Sequence, residues 1–168
     1  MKKLIIILVL LSGINLNAQR EVNSNAYSLM LKTLLSHTVP EVSVDSAMKT
    51  TDSNTVWLDA REPNEIKVST IKNSIPVGYD HFDISSVDSI PKNSEIIVYC
   101  SVGYRSEKVA EKLITGGFTD VSNLYGGIFE WVNREQTTYH DSIPTLNIHA
   151  YNRLWGEWLN KGVKVYTK

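Results

Sequence analysis

The stretch Glu95-Ile96-Ile97-Val98-Tyr99-Cys100-Ser101-Val102-Gly103-Tyr104-Arg105-Ser106 contains a change of period. Residues 95–99 are a short, almost wholly apolar run of strand length, the strongest such run in the chain. From Ser106 to Thr115 the apolar residues Val109, Ala110, Leu113 and Ile114 recur at helical spacing, and Gly116-Gly117 stops the helix. Outward from this unit, Val42-Ser43-Val44, Thr55 to Leu58, Ile75-Pro76 and Val121 to Leu124 read as further short strands, with polar turns and helical stretches between them. Strands alternating with helices predict an α/β fold, a mostly parallel central sheet with helices on both faces.

Flanking segments complete the organisation. Lys2 and Lys3 precede the apolar run Leu4 to Leu11, followed by small and polar residues to Ala18, which is the pattern of a secretory signal peptide over residues 1–18. The run is shorter than the roughly 20 residues a membrane-spanning helix needs, and no cysteine stands at the cleavage point, so an exported, periplasmic or secreted protein without a membrane anchor is expected. Residues 19–40 read as an N-terminal helical extension. There Tyr27, Met30, Leu31, Leu34 and Leu35 share a helix face and Ser24 can cap it. The main domain is placed at residues 41–135. Its end includes Ile128, Phe129, Trp131 and Val132, a helix after the tight turn Gly126-Gly127. Residues 136–168 read as a polar linker to Asn147, then a helix with Leu154, Trp155, Trp158 and Leu159, then a strand at Val163 to Tyr166, the whole packing on the domain.

Composition narrows the function classes. With 42% hydrophobic and 21% charged residues over 168 positions, the chain has room for one compact core. A formal net charge of −1 provides no basic field for a polyanion, and no Lys/Arg run is interleaved with aromatics, so nucleic acid is not expected as a partner. Cys100 is the single cysteine, so no internal disulfide can form.

Cys100 stands where a strand ends and a helix is about to begin, at the carboxyl edge of the sheet, where ligands bind in such folds. If Ser101, Val102, Gly103, Tyr104 and Arg105 curl around the sulfur, their N–H groups converge on it and the helix adds its positive end. Such a cradle favours the thiolate, which is the nucleophile. Gly103 permits a backbone conformation that side chains forbid, and Arg105 can offer planar donors to an oxyanion. A lone cysteine after an apolar strand is also commonly a small buried hydrophobe. Gly103, Arg105 and Ser106 in this order favour a catalytic site.

The sequence resembles the rhodanese family over Val42 to Trp131. The resemblance rests on Leu58-Asp59-Ala60-Arg61-Glu62 with Pro63 and Glu65, on Ile71 to Pro76, on Cys100 to Ser106, on Gly116-Gly117-Phe118, and on Gly126-Gly127-Ile128 through Trp131. It implies a rhodanese-like sulfurtransferase in which Cys100 attacks a small sulfur-donor anion such as thiosulfate, or a persulfide. The sulfur then passes to a thiophilic acceptor, cyanide or a thiol, with an acceptor protein as a further option. Cys100 and Arg105 would be catalytic, Ser101, Val102, Gly103, Tyr104 and Ser106 would bind substrate, and no cofactor or metal is called for. Asp59 and Arg61 would act as a charge pair fixing loops. Where many members carry Gly-His before the position of Ile71, this chain has Ser69-Thr70. Two other readings stay open: an exported module that binds an anion or partner without turnover, and a phosphatase, whose loop between cysteine and arginine is longer than this one. His37, His81, His140 and His149 lack metal-site spacing and read as surface or capping residues. Tyr104 could gate the pocket or meet an acceptor.

Overall fold

The computed structural model describes residues 22, 24–50 and 54–166; the signal-peptide reading of residues 1–18 lies outside them. The elements run α1 (Asn25–Leu34), β1 (Glu41–Val42), α2 (Val44–Thr50), β2 (Val56–Asp59), α3 (Pro63–Ile66) and β3 (Ile75–Pro76). A 3-10 turn at Ile84–Val87 leads to β4 (Glu95–Tyr99), α4 (Tyr104–Thr115), β5 (Asp120–Leu124) and α5 (Gly127–Asn133). The chain closes with β6 (Thr138–His140), β7 (Ile143–Thr145), β8 (Asn147–His149), α6 (Arg153–Gly156) and β9 (Val163–Val165).

Five strands form one sheet in the order β1-β5-β4-β2-β3, and every pairing in it is parallel. The alternation of a pleated strand divides β4 between the two faces. Ile97 and Tyr99 enter one apolar cluster with Tyr27, Leu31, Phe129 and Leu159, while Ile96, Val98 and Cys100 enter the other with Val109, Ala110 and Leu113. Both faces are thus covered, which is why β4 reads as a nearly unbroken apolar run.

The N-terminal helix α1 is capped by Ser24, whose hydroxyl accepts the Tyr27 N–H, and it buries Tyr27 and Leu31. Its exit is fixed to α4 by Glu107, a fully buried carboxylate that accepts the N–H groups of Ser36 and Thr38 at 3.0 and 3.2 Å. In α4 the apolar stripe is narrower than the sequence pattern implies, since Ile114 is exposed.

Two features of the tail differ from the sequence reading. Residues 138–145, expected as linker, form the antiparallel hairpin β6–β7, and Thr70 bridges to Tyr139 of that hairpin. The expected tail helix is only the four-residue α6, with Leu154 pointing to solvent, because β8 and β9 pair in parallel and the chain between them must return to their common edge. His149, expected at the surface, is buried; its Nδ1 accepts the Tyr151 N–H at 3.2 Å.

Candidate active site

Parallel pairing in register puts the carboxyl ends of β2, β4 and β5 side by side, with Asp59 opposite Tyr99 and Asn123 opposite Val98. Cys100 follows Tyr99 and is 1% exposed. Its Sγ accepts the Gly103 N–H at 3.2 Å; of the five amides at 101–105 that the sequence reading turns toward the sulfur, this one is hydrogen-bonded to it. Gly103 has φ 116 and is the N-cap of the 12-residue α4, whose positive end therefore lies beside the thiol.

Other groups hold this loop from outside. Asn123 donates to the Gly103 carbonyl at 3.0 Å and accepts the Ser106 hydroxyl at 2.7 Å. Ser106, read from the sequence as a substrate-binding residue, is fully buried and is not among the residues that line the cleft; its contact pins the loop. On the other side the amides of Ile128 and Phe129 donate to the carbonyls of Cys100 and Ser101 at 2.9 and 3.1 Å. This clamp is the structural use of Gly127: with φ +57, a Cβ there would stand 2.4 Å from the Cys100 carbonyl oxygen.

Arg105, read from the sequence as a planar set of donors for an oxyanion, has both terminal nitrogens engaged within the protein. Its Nη1 and Nη2 donate to the two carboxylate oxygens of Glu65 at 2.6 and 2.9 Å, and Nη2 also donates to Ser101 Oγ at 3.0 Å. Ser101 in turn donates to Glu65 Oε1 at 2.8 Å. Burial favours the neutral Glu65 carboxyl, but the Arg105 hydrogen bonds and charge, with help from Arg61, hold it below the usual carboxylate range. Burial also opposes the charged Arg105 side chain, and Glu65 outweighs it, so the guanidinium stays charged. Glu65 is placed by a reciprocal cap at the start of α3, where its carboxylate also accepts the Glu62 N–H at 3.2 Å.

Asp59 and Arg61 form a fully buried pair beneath the loop, with Arg61 Nε and Nη2 donating to the carboxylate at 2.9 and 2.6 Å and Nη2 also donating to the Ser69 carbonyl at 2.7 Å. Tyr99 donates its hydroxyl to Asp59 at 2.6 Å. Burial and the neighbouring Asp59 charge push that phenol above its ordinary range, so it remains a donor. Thr70 meets the same Tyr99 hydroxyl at 2.9 Å.

Above the sulfur lies a cleft of about 330 Å3. Cys100, Ser101, Val102, Tyr104 and Arg105 line its base and side, and Tyr104 is 40% exposed at the rim. Leu34 of α1 and Tyr151 and Trp155 of the tail also line it. Glu65, Asn123 and these three wall residues were missed as site residues in the sequence. Glu65 alone carried a signal there, as a Glu three residues after Glu62 at a helix start. Among the described residues no group of three His, Cys, Asp or Glu side chains is arranged to hold a metal ion.

The family described as the rhodanese-like domain matches residues 43–134. The tRNA uridine(34) hydroxylase of Cytophaga hutchinsonii is 33% identical over 90 residues, which are 51% of this chain and 28% of that protein. The chain therefore spans little more than a quarter of that relative. A rhodanese-related protein from Thermoplasma volcanium superposes with a TM-score of 0.53 at 22% identity, over 60% of this chain and 97% of that one. Thiosulfate sulfurtransferase from Pseudomonas aeruginosa superposes with a TM-score of 0.57 at 20% identity, over 85% of this chain and 28% of that one. At these identities the two structures show a shared fold.

Proposed function

The chain belongs to the rhodanese-like domain family, and from that membership we propose that it is a sulfurtransferase whose carrier is a persulfide on Cys100. The observation that carries this reading is the closure of the loop on the sulfur, with the Gly103 amide 3.2 Å from Sγ at the floor of an open cleft. A merely structural cysteine needs neither the amide nor the cleft.

In the proposed reaction the Cys100 thiolate attacks the outer sulfur of a donor, thiosulfate or a persulfide. With thiosulfate, the S–S bond breaks, its electron pair leaves with sulfite, and Cys100 retains the transferred sulfur as a persulfide anion. A thiolate or cyanide then attacks that outer sulfur, giving a new persulfide or thiocyanate and restoring the thiolate. The Gly103 amide and the positive end of α4 oppose the negative charge throughout. Arg105, held by Glu65, keeps Ser101 and the loop in place and adds a cation whose field is largely cancelled by its partner. Small sulfur compounds fit this site better than tRNA does, since the formal charge of −1 attracts no polyanion.

The test is intact mass after treatment with thiosulfate and, separately, with a small persulfide. Gain of one sulfur atom, lost on adding cyanide and absent in Cys100→Ser, is the expected result. No gain with either donor leaves the non-catalytic binding module as the better reading, and that module would keep its ligand affinity in Cys100→Ser. We further propose that the protein is exported through residues 1–18. Fractionation should then find a shortened chain outside the cytoplasm, and a full-length cytoplasmic chain would reject export.

A further inference from the structure

Three walls of the Cys100 cleft come from outside residues 43–134, the segment that the family match covers. Leu34 reaches it from α1, and Tyr151 and Trp155 from the tail. With Tyr104 at the rim they make one side of the cleft aromatic and apolar. Its charged lining has the opposite character to an anion trap. Glu62 and Asp80 line the cleft, Glu62 Oε1 accepting the Tyr79 and Asp80 N–H groups at 3.1 and 3.2 Å, while Arg105 is bound edge-on by Glu65 and covered on its face by the Tyr151 ring, 5.3 Å from ring centre to guanidinium carbon. A small inorganic dianion entering here loses the water around two charges and gains only the Gly103 amide and the positive end of α4, with no free cation, so it is held less well than a monoanion. An organic sulfur compound with an apolar body and at most one charge loses less and gains burial against the rings.

We infer that the cleft selects organic persulfides or thiosulfonates with an apolar body, and that Tyr151 and Trp155 are the residues that read that body. The inference rests on the sulfurtransferase reading and names its substrate class. For a thiosulfonate R-SO2-S⁻, the Cys100 thiolate attacks the outer sulfur and the bond to the sulfonyl sulfur breaks. The electron pair leaves with the sulfinate R-SO2⁻, and Cys100 carries the persulfide anion.

Methanethiosulfonate and benzenethiosulfonate share this charge and this scissile bond and differ in apolar size. In the full chain kcat/KM should favour the benzene compound by about tenfold, the scale of one well-buried apolar group. In Tyr151→Ala/Trp155→Ala that ratio should fall several-fold. Comparing each donor pair across proteins cancels the intrinsic reactivity of the two leaving groups. Tyr151 is half exposed, so Tyr151→Ala alone preserves the core if the double variant misfolds, and it should show part of the same fall. An unchanged ratio in folded variants would overturn the inference while leaving sulfur transfer intact. Failure of Cys100 to take sulfur from either donor would instead reject the sulfurtransferase reading. Calorimetry on Cys100→Ser with benzenesulfinate and methanesulfinate then still reads the cleft: equal affinities reject the selection, and tighter benzenesulfinate binding retains it for a binding site.

Discussion

Gly127 and Glu65 set the geometry of Cys100 without touching the reacting atoms. A methyl group on Gly127 would meet the Cys100 carbonyl oxygen at 2.4 Å and the Ser101 carbonyl at 2.7 Å, and both contacts are backbone that cannot swing aside. Gly127→Ala should therefore cost about 2–3 kcal/mol, combining a strained positive φ with the clash, and should also displace the sulfur from the Gly103 amide. Urea unfolding and the rate of sulfur loading would check this; full stability with an unchanged loading rate would show that the clamp is not needed. Glu65→Gln removes the carboxylate that Arg105 and Ser101 share. Breaking a largely buried pair of this kind should cost about 2–4 kcal/mol at neutral pH. The folded Glu65 carboxyl is depressed below its ordinary value, so its stabilisation is fully present above the unfolded carboxylate range and is lost as pH falls through the folded pKa. The wild type should accordingly lose more stability between neutral pH and about pH 3 than Glu65→Gln does. Parallel pH profiles of the unfolding free energy would contradict this assignment.

At the scale of elements, two side chains of α4 tie it to the segment after α1: Glu107 accepts both the Ser36 and Thr38 amides, and Glu111 accepts the Thr38 hydroxyl. Glu107→Ala should raise hydrogen exchange at those two amides and cost about 1–2 kcal/mol, because water can reach Ser36 and Thr38 and replace part of what is lost. Unaltered protection at both amides would mean that the segment is held by its other contacts alone. The strand–loop–helix unit from Glu95 to Thr115 was legible in the sequence because burial on both faces leaves an apolar run and the helix leaves a stripe. Gly103 was legible for the same local reason. The partners of the site were not: Glu65 meets Arg105 across 40 residues of chain, a contact that no local spacing encodes. The β6–β7 hairpin escaped because its turn is Asp141-Ser142, both with positive φ, where the usual signal is a glycine. In the tail, Leu154, Trp155, Trp158 and Leu159 have helical spacing, but only Leu159 is fully buried, so their pattern overstated the helix.

Across the whole molecule, the segment resembling other family members is not a self-contained core. Tyr27, Leu31 and Leu35 from before it and Ile148, Ala150 and Leu159 from after it belong to the same buried cluster as Tyr99, Tyr125 and Phe129. Tyr27 stacks on Trp158 at 5.4 Å between ring centres, and its hydroxyl donates to the Gly126 carbonyl at 2.8 Å, so the two extensions meet over the turn that clamps the Cys100 loop. Asn133, at the end of α5, binds the tail in both senses, donating to the Trp158 carbonyl at 2.9 Å and accepting the Asn160 N–H at 2.7 Å. Each large apolar side chain removed from such a cluster forfeits about 1.5–3 kcal/mol, against a total stability of about 5–15 kcal/mol for a typical domain. Residues 43–134 produced alone should therefore lack fixed tertiary packing. The fragment should show a weak near-ultraviolet circular dichroism signal and no cooperative urea transition, whereas residues 22–168 should unfold in one step. A fragment unfolding cooperatively near the midpoint of the longer chain would show that the sheet and its own helices suffice. Loss of packing in the fragment would instead make the extensions part of the folding unit, and the walls they contribute to the cleft would then form together with the loop that holds Cys100.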